Sequence, residues 1–224
     1  MDQRKYLIQK NNISELLSIN NKQVSIIGLD LWLNVSNNNE GIFITHPNIT
    51  LDGAGHTITG NGTVTGQPKA IMISNQMHEI TIKNLTIKNF KTGIEANYSN
   101  GLTITGVTMS DIGGYGIYSY GGDALKIESN NISHLNTELI AQTGIFLVGH
   151  NAYWGQGNGS CTGTGQYVNS SQDGPIVIKN NIITSTSGES GSGVYIEGSK
   201  YCIDGNTISD FKQGISISAT SFNG

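Results

Sequence analysis

The aromatic and acidic residues best suited to contact a ligand recur at matching positions of a repeated segment. Tyr118, Phe146 and Tyr195 each follow a Gly-Ile or Gly-Val pair, as Glu95 does. Aromatic rings bind the C–H faces of sugar rings, while neighbouring polar groups bond the hydroxyls. The pattern predicts a saccharide-binding surface made of Tyr118, Tyr120, Phe146, Tyr195 and Glu197. The alternative is that the rings only stack on one another and stabilise a sheet.

Catalysis on a saccharide would need acidic groups at a defined separation. Glycoside hydrolysis uses two carboxyl groups about 5–9.5 Å apart. Glu95 and Glu197 do not fit, because they lie three repeats apart, or about 14 Å at the usual strand spacing. We therefore predict Glu95 and Asp123 as catalytic carboxylates, with Asp173 as a further partner for Glu95. The alternative for Asp123 is a turn-forming role after two glycines.

A lyase or an epimerase would instead need a base and a cation that holds an acidic substrate. Arg4 is the only arginine and lies outside the repeats. Lys126, Lys200 and His150 are the cations expected nearest the aromatic residues, and His150 is the third catalytic candidate.

The repeat itself predicts the fold. Segments that open with a small and an apolar residue recur, most of them 21 to 29 residues apart, at residues 41, 70, 93, 116, 144, 193 and 214. Each is followed by a second alternating run and, in most repeats, by a third apolar position. Alternation at period two indicates strands with one buried face. Three such strands per repeat predict an all-β solenoid, a parallel β-helix with three strands per coil.

Two departures from the repeat define the predicted organisation. Residues 1–23 are expected to form an N-terminal cap and residues 24–224 the β-helix. The step from Gly144 to Gly193 is 49 residues long but holds only one further strand pattern, so residues 151–173 are an inserted loop. Such insertions often shape a binding surface. This one would add Tyr153 and Trp154 to the substrate-binding set.

Asn130, Asn181 and Asn206 recur at the tight corner before the third strand. Short amide side chains at such corners bond to the turn backbone and to each other. We predict a structural asparagine ladder.

Several motifs resemble the parallel β-helix repeat family over residues 41–217. They are residues 51–58 (LDGAGHTI), residues 82–87 (IKNLTI) and the Gly-Ile openings. That family includes pectate-lyase-like enzymes and the carbohydrate-binding and sugar-hydrolase repeats of NosD-like proteins. The resemblance implies a right-handed parallel β-helix. Residues 121–127 (GGDALKI) also resemble an aspartate-bearing strand opening of pectin-hydrolysing β-helices, but they lack the second aspartate.

Composition argues against some classes of binding partner. A net charge of -4 and a pI near 5.7 argue against nucleic acid, because nucleic-acid binders need clustered cations. The sequence contains no run of eighteen apolar residues, so membrane insertion is not predicted. We expect an extracellular, cell-surface or virion protein that binds polysaccharide, with hydrolase, lyase or epimerase activity left open. The alternatives are a non-catalytic spike, adhesin or surface module and a NosD-like periplasmic factor. A homotrimer or a missing C-terminal part would explain the unfinished last coil.

Metal and cysteine chemistry is expected to be limited. The five histidines are scattered without ligand spacing, so no metal site is predicted and no cofactor is required. A calcium ion held by turn carboxylates and carbonyls is compatible with the sequence. Cys161 and Cys202 are expected to form a disulfide that pins the inserted loop.

Overall fold

A computed structural model describes residues 40–60, 68–135, 142–150, 176–186, 191–198 and 201–218, together with three short strands nearer the N-terminus. This part of the chain contains strands and no helix, and therefore no helix that could cross a membrane. The strands are β1 Tyr6–Leu7, β2 Gln23–Ser25, β3 Leu31–Trp32, β4 Glu40–Ile44, β5 Thr50–Asp52, β6 Thr57–Thr59, β7 Lys69–Ile73, β8 Thr81–Asn97, β9 Thr103–Tyr120, β10 Lys126–Glu128, β11 Asn131–Leu135, β12 Thr143–His150, β13 Ile176–Lys179, β14 Ile182–Ser185, β15 Ser192–Gly198, β16 Tyr201–Asp204, β17 Thr207–Ser209 and β18 Gln213–Ser218.

All strand pairings are parallel, and each strand pairs with its equivalents one coil before and one coil after. The first side of the coil contains β4, β7, β12, β15 and β18. The second contains β1, β2, β5, β10, β13 and β16, and the third contains β3, β6, β11, β14 and β17. The long strands β8 and β9 run along all three sides. The protein is a right-handed parallel β-helix with three strands per coil, as the repeat predicts.

Most of the predicted cap and all of the predicted insert lie outside the described residues. Within residues 1–23, only β1 and the first residue of β2 are described. The pairing of Tyr6 with Val24 shows that a parallel ladder on the second side already includes β1. The boundaries of the cap and of the insert stay predictions.

The core consists of inward aliphatic ladders at the predicted positions. On the first side, the pairs Ile42/Ile44, Ile71/Ile73, Ile94/Ala96, Ile117/Ser119, Ile145/Leu147 and Val194/Ile196 are all buried. The last pair differs, because Ile215 and Ile217 are each 46% exposed. No described coil stacks on them, so they complete the ladder on one face only.

A column of glycines explains the small residue that opens each repeat. A Cβ on Gly116 would lie 2.6 Å from the carbonyl oxygen of Gly144 and 2.7 Å from Ile132 Cγ2. Gly93, Gly144 and Gly193 are equally crowded by the next coil. At these four positions the coils therefore approach too closely for a Cβ, whatever the backbone dihedrals.

Gly116→Ala is accordingly expected to lower the free energy of unfolding by about 1–3 kcal/mol, the usual effect of overpacking. Gly214 occupies the same position in the last coil, and a Cβ there meets nothing within 4 Å. Gly214→Ala is the matched control and should be neutral or slightly stabilising. Urea denaturation of both variants measures the difference. Equal effects of the two substitutions would contradict the steric explanation.

The asparagine ladder is present as predicted. Asn130 Nδ2 donates to Asn181 Oδ1 at 3.0 Å, and Asn181 Nδ2 donates to Asn206 Oδ1 at 2.8 Å. Each side chain also bonds the backbone of neighbouring coils, for example through Asn181 Nδ2 to the carbonyl of Ile127 at 2.9 Å. Asn130 and Asn181 are buried. The ladder therefore pairs polar groups that would otherwise be buried without partners.

Charged residues on the second side form ion pairs. Lys83–Asp52 and Lys179–Asp204 are cross-strand pairs at 3.4 Å. Glu128 pairs with Lys126 of its own strand, at 3.1 Å. Lys126 thus lies on the second side, and its expected position near the aromatic residues of the first side is wrong.

Candidate functional site

The aromatic column is formed by Tyr118, Phe146 and Tyr195, which are in register on the outer face of the first side. The ring centroids of Tyr118 and Phe146 lie 5.5 Å apart with planes 9° from parallel. For Phe146 and Tyr195 the values are 4.8 Å and 12°. The column is thus a continuous stack across three coils.

The geometry of the stack differs from a flat platform. Parallel rings in contact are separated by about 3.5–4 Å, so these centroid distances imply lateral offsets of roughly 3–4 Å. Neighbouring rings are therefore offset and overlap only in part, so each ring leaves part of the face that it shares with a neighbour uncovered. At the N-terminal end of the stack, the register neighbour of Tyr118 is Glu95, which is not aromatic. The face of Tyr118 toward Glu95 is therefore the one not covered by another ring of the column.

A cleft of about 540 Å³ opens at this end of the column. Its lining includes Glu95, Asn97, Tyr98, Tyr115, Tyr118 and Tyr120. Tyr98 and Tyr120 are 48% and 39% exposed, and their rings meet edge to face at 5.2 Å. The ring centroid of Tyr115 lies 5.3 Å from that of Tyr118 and 5.0 Å from that of Phe146. The cleft thus combines aromatic walls with phenolic hydroxyls.

The cleft contains one carboxylate, whose position is fixed. Lys69 Nζ lies 2.9 Å from Glu95 Oε1, and Asn97 Nδ2 donates to the same oxygen at 3.2 Å. The side chains of Lys69 and Glu95 are largely buried. The charge of Glu95 is therefore matched within the protein.

The environment raises the pKa of two phenols of the cleft, those of Tyr118 and Tyr98. Burial raises the pKa of Tyr118, and the nearby negative charge of Glu95 raises it further. A hydrogen bond with Tyr120 raises the pKa of Tyr98. Both tyrosines are thus neutral at physiological pH and available to hydroxyl groups of a ligand as donors and acceptors.

Lys91 also lines the cleft and was not among the predicted site residues. Its side chain is only 8% exposed, and Nζ donates to the carbonyl of Gly113 at 3.1 Å. Burial lowers the pKa of Lys91. Alternation does not indicate this burial, because Lys91 lies at the corner between the third and first sides, where the alternating pattern is interrupted.

Comparison of the sequence with models of protein families agrees with the fold of the structure. The model of the right-handed β-helix region matches residues 17–158, which is more than half of the chain. The chain belongs to the right-handed β-helix family. Searches of curated proteins and of solved structures found no match.

Within this β-helix, two of the predicted catalytic residues, Glu95 and Asp123, do not line the same cleft. Glu95 lines the cleft, whereas Asp123 does not. Asp123 follows Gly121 and Gly122, which both have positive φ. Its backbone N–H donates to Asn100 Oδ1 at 2.8 Å. Glu95 is the only acidic residue in the described lining of the cleft.

The other predicted site residues are placed as follows. Glu197 lies in the same coil as Tyr195, three coils from Glu95, because Tyr118, Phe146 and Tyr195 occupy successive coils. The side chain of His150 is outside the described part of the structure, as are Tyr153, Trp154, Asp173 and Lys200. Among the described residues, no group of three or more His, Cys, Asp or Glu side chains could hold a metal ion.

Cys202 is disulfide-bonded and only 4% exposed. It lies in an outward column, because its register partner Val177 alternates with the core residues Ile176 and Ile178. Cys161, the other cysteine of the sequence, lies outside the described residues. The Cys161–Cys202 bond stays a prediction. Peptide mapping without reductant should find the two cysteines in one linked peptide pair, and two free thiols would refute the bond.

Proposed function

We propose that the protein binds a polysaccharide along the first side of the β-helix. One sugar residue would lie in the cleft, against the face of Tyr118 that is turned toward Glu95. The observation that carries this proposal is the aromatic stack that ends in a cleft lined by polar groups. Stacking on Tyr118 would bury the C–H face of a sugar ring. The hydroxyls of Tyr98 and Tyr120 and the amide of Asn97 would bond the hydroxyls of that sugar.

The length of the stack favours a polymer over a free monosaccharide. Tyr118, Phe146 and Tyr195 lie in successive coils, which spans about 10 Å at the usual strand spacing. This length accommodates about two sugar residues beyond the one in the cleft. The partly uncovered faces of Phe146 and Tyr195 would provide weaker apolar contacts along the chain of the polymer.

Binding is favoured over hydrolysis as the function of this site. Hydrolysis needs two carboxyl groups, and Glu95 is the only one in the described lining of the cleft. Glu95 is also neutralised by Lys69 at 2.9 Å, an arrangement suited to holding a hydroxyl group. Hydrolysis would need a second carboxyl group supplied from another part of the chain.

An extracellular, cell-surface or virion location is proposed together with the polysaccharide. Cys202 is disulfide-bonded, and structural disulfides persist mainly in oxidising compartments. Polysaccharides that a rigid solenoid can bind along its length are found in the same compartments.

Affinity electrophoresis through gels that contain neutral or acidic polysaccharides tests the proposal. We expect retardation in at least one gel, relative to a reference protein of similar charge. The same polysaccharides, incubated with the protein, should yield neither unsaturated products nor new reducing ends. No retardation in any gel would contradict polysaccharide binding and would favour the structural module. Released products would instead show an enzyme.

A further inference from the structure

We infer that the ammonium group of Lys91 binds an anionic substituent, a carboxylate or a sulfate ester, on the sugar residue in the cleft. This inference rests on the proposed polysaccharide binding and names the class of saccharide. It depends on the position, burial and incomplete pairing of one lysine.

The first argument is the balance of charge in the cleft. Lys69 and Glu95 neutralise each other at 2.9 Å. Lys91 forms no ion pair within the described part of the chain, and its Nζ donates to a single backbone carbonyl, that of Gly113 at 3.1 Å. An ammonium group has three donors. The cleft therefore has one positive charge in excess and donors left for a ligand.

The second argument is the local backbone, which makes room for this lysine. A Cβ on Gly114 would lie 3.2 Å from Lys91 Cε and 3.1 Å from the carbonyl oxygen of Lys91. The aliphatic stem thus packs against a glycine where a side chain would crowd it. Lys91 is therefore held in place over Gly114 and does not extend freely into solvent.

The third argument is energetic. A buried charge is costly unless it is paired, and burial lowers the pKa of Lys91. An anion in the cleft would complete the pairing of the ammonium group with charge-assisted hydrogen bonds. Because Tyr118 lines the same cleft, one sugar residue could contact the ring and the lysine together.

Lys91→Met tests the inference, because methionine retains an apolar side chain over Gly114 and removes the charge. Lys88→Met is the matched control, since Lys88 is exposed and belongs to the third-side segment of β8. Binding is compared on two pairs of polymers: a carboxylated polymer with its carboxyl-reduced form, and a sulfated polymer with its desulfated form. The two pairs distinguish the carboxylate from the sulfate ester.

Wild-type protein should bind the charged member of one pair about tenfold or more tightly than its neutral form, the usual effect of a charge-assisted hydrogen bond. Lys91→Met should lose this preference and keep its affinity for the neutral form. Lys88→Met should behave as wild type. A preference that survives Lys91→Met, is absent from wild type or is lost equally in Lys88→Met would overturn the inference.

A second measurement separates failure of this inference from failure of polysaccharide binding. Sodium glucuronate and sodium sulfate are titrated while thermal unfolding is followed. At least one of them should raise the midpoint of wild type and Lys88→Met more than that of Lys91→Met, even if no polymer binds. Equal shifts in all three proteins would overturn the anion site. If Lys91→Met does not fold, Lys91→Gln replaces it in both experiments.

Discussion

The double variant Tyr118→Ala/Tyr195→Ala is expected to bind polysaccharide about 30-fold more weakly than the wild-type protein, or worse. Two aromatic anchors of a binding surface together contribute about 2 kcal/mol or more. Tyr118 lines the cleft with a face that no other ring of the column covers, and Tyr195 lies at the other end of the stack. The measurement is the retardation coefficient in affinity gels, on the polymer that retards wild type most.

Ile182→Ala is the control for this variant. Ile182 is 48% exposed and lies on the third side, away from the stack. The Ile182→Ala substitution removes exposed apolar surface without changing the aromatic column, so polysaccharide binding should be unchanged. Because Tyr118 and Tyr195 are on the outer face, both proteins should retain the circular dichroism spectrum of a β-helix. Unchanged retardation of a folded double variant would remove the aromatic column from the binding site.

Asn181→Ala is expected to lower the free energy of unfolding by about 4 kcal/mol, since each unsatisfied buried polar group costs about 1–3 kcal/mol. The Asn181 amide donates to the carbonyl of Ile127 and to Asn206 Oδ1, and its oxygen accepts from the N–H and Nδ2 of Asn130. Alanine would leave the Asn130 N–H and the Ile127 carbonyl without these partners in a region that water does not reach.

Urea denaturation measures this effect, with Asn131→Ala as the control. Asn131 belongs to β11 and is exposed. Its replacement should change the free energy of unfolding by less than about 0.5 kcal/mol, as for most surface positions. A loss below about 1 kcal/mol for Asn181→Ala would show that water or a local rearrangement replaces the ladder.

The stacking of the coils was predictable because each repeat contains the same pattern of apolar, glycine and asparagine positions. Ile71 and Ile73 alternate with an outward residue, and each later repeat does the same, so the inward ladder follows from period two alone. Asn130, Asn181 and Asn206 occur at equivalent positions, so stacking the coils brings them into contact. The aromatic column follows from the same register.

The cleft was less predictable, because part of its lining, including Tyr98 and Lys91, comes from corners. Tyr98 has a φ of 52°, and Lys91 lies between the third and first segments of β8. Alternation along a strand does not determine where corner side chains point. Cys202 lies in an outward column of β16 and is nevertheless buried, which alternation along the strand does not indicate.

The sequence alone determined the coil, its inward ladders, the glycine and asparagine columns and the register of Tyr118, Phe146 and Tyr195. These features depend on spacing along the chain and on the nearly constant distance between parallel strands. Only the tertiary structure decided that the stacked rings are laterally offset, that Lys69 neutralises Glu95 and that Lys91 is buried beside Gly114. Those features depend on side-chain directions at corners and on contacts between neighbouring coils, which repeat spacing does not specify.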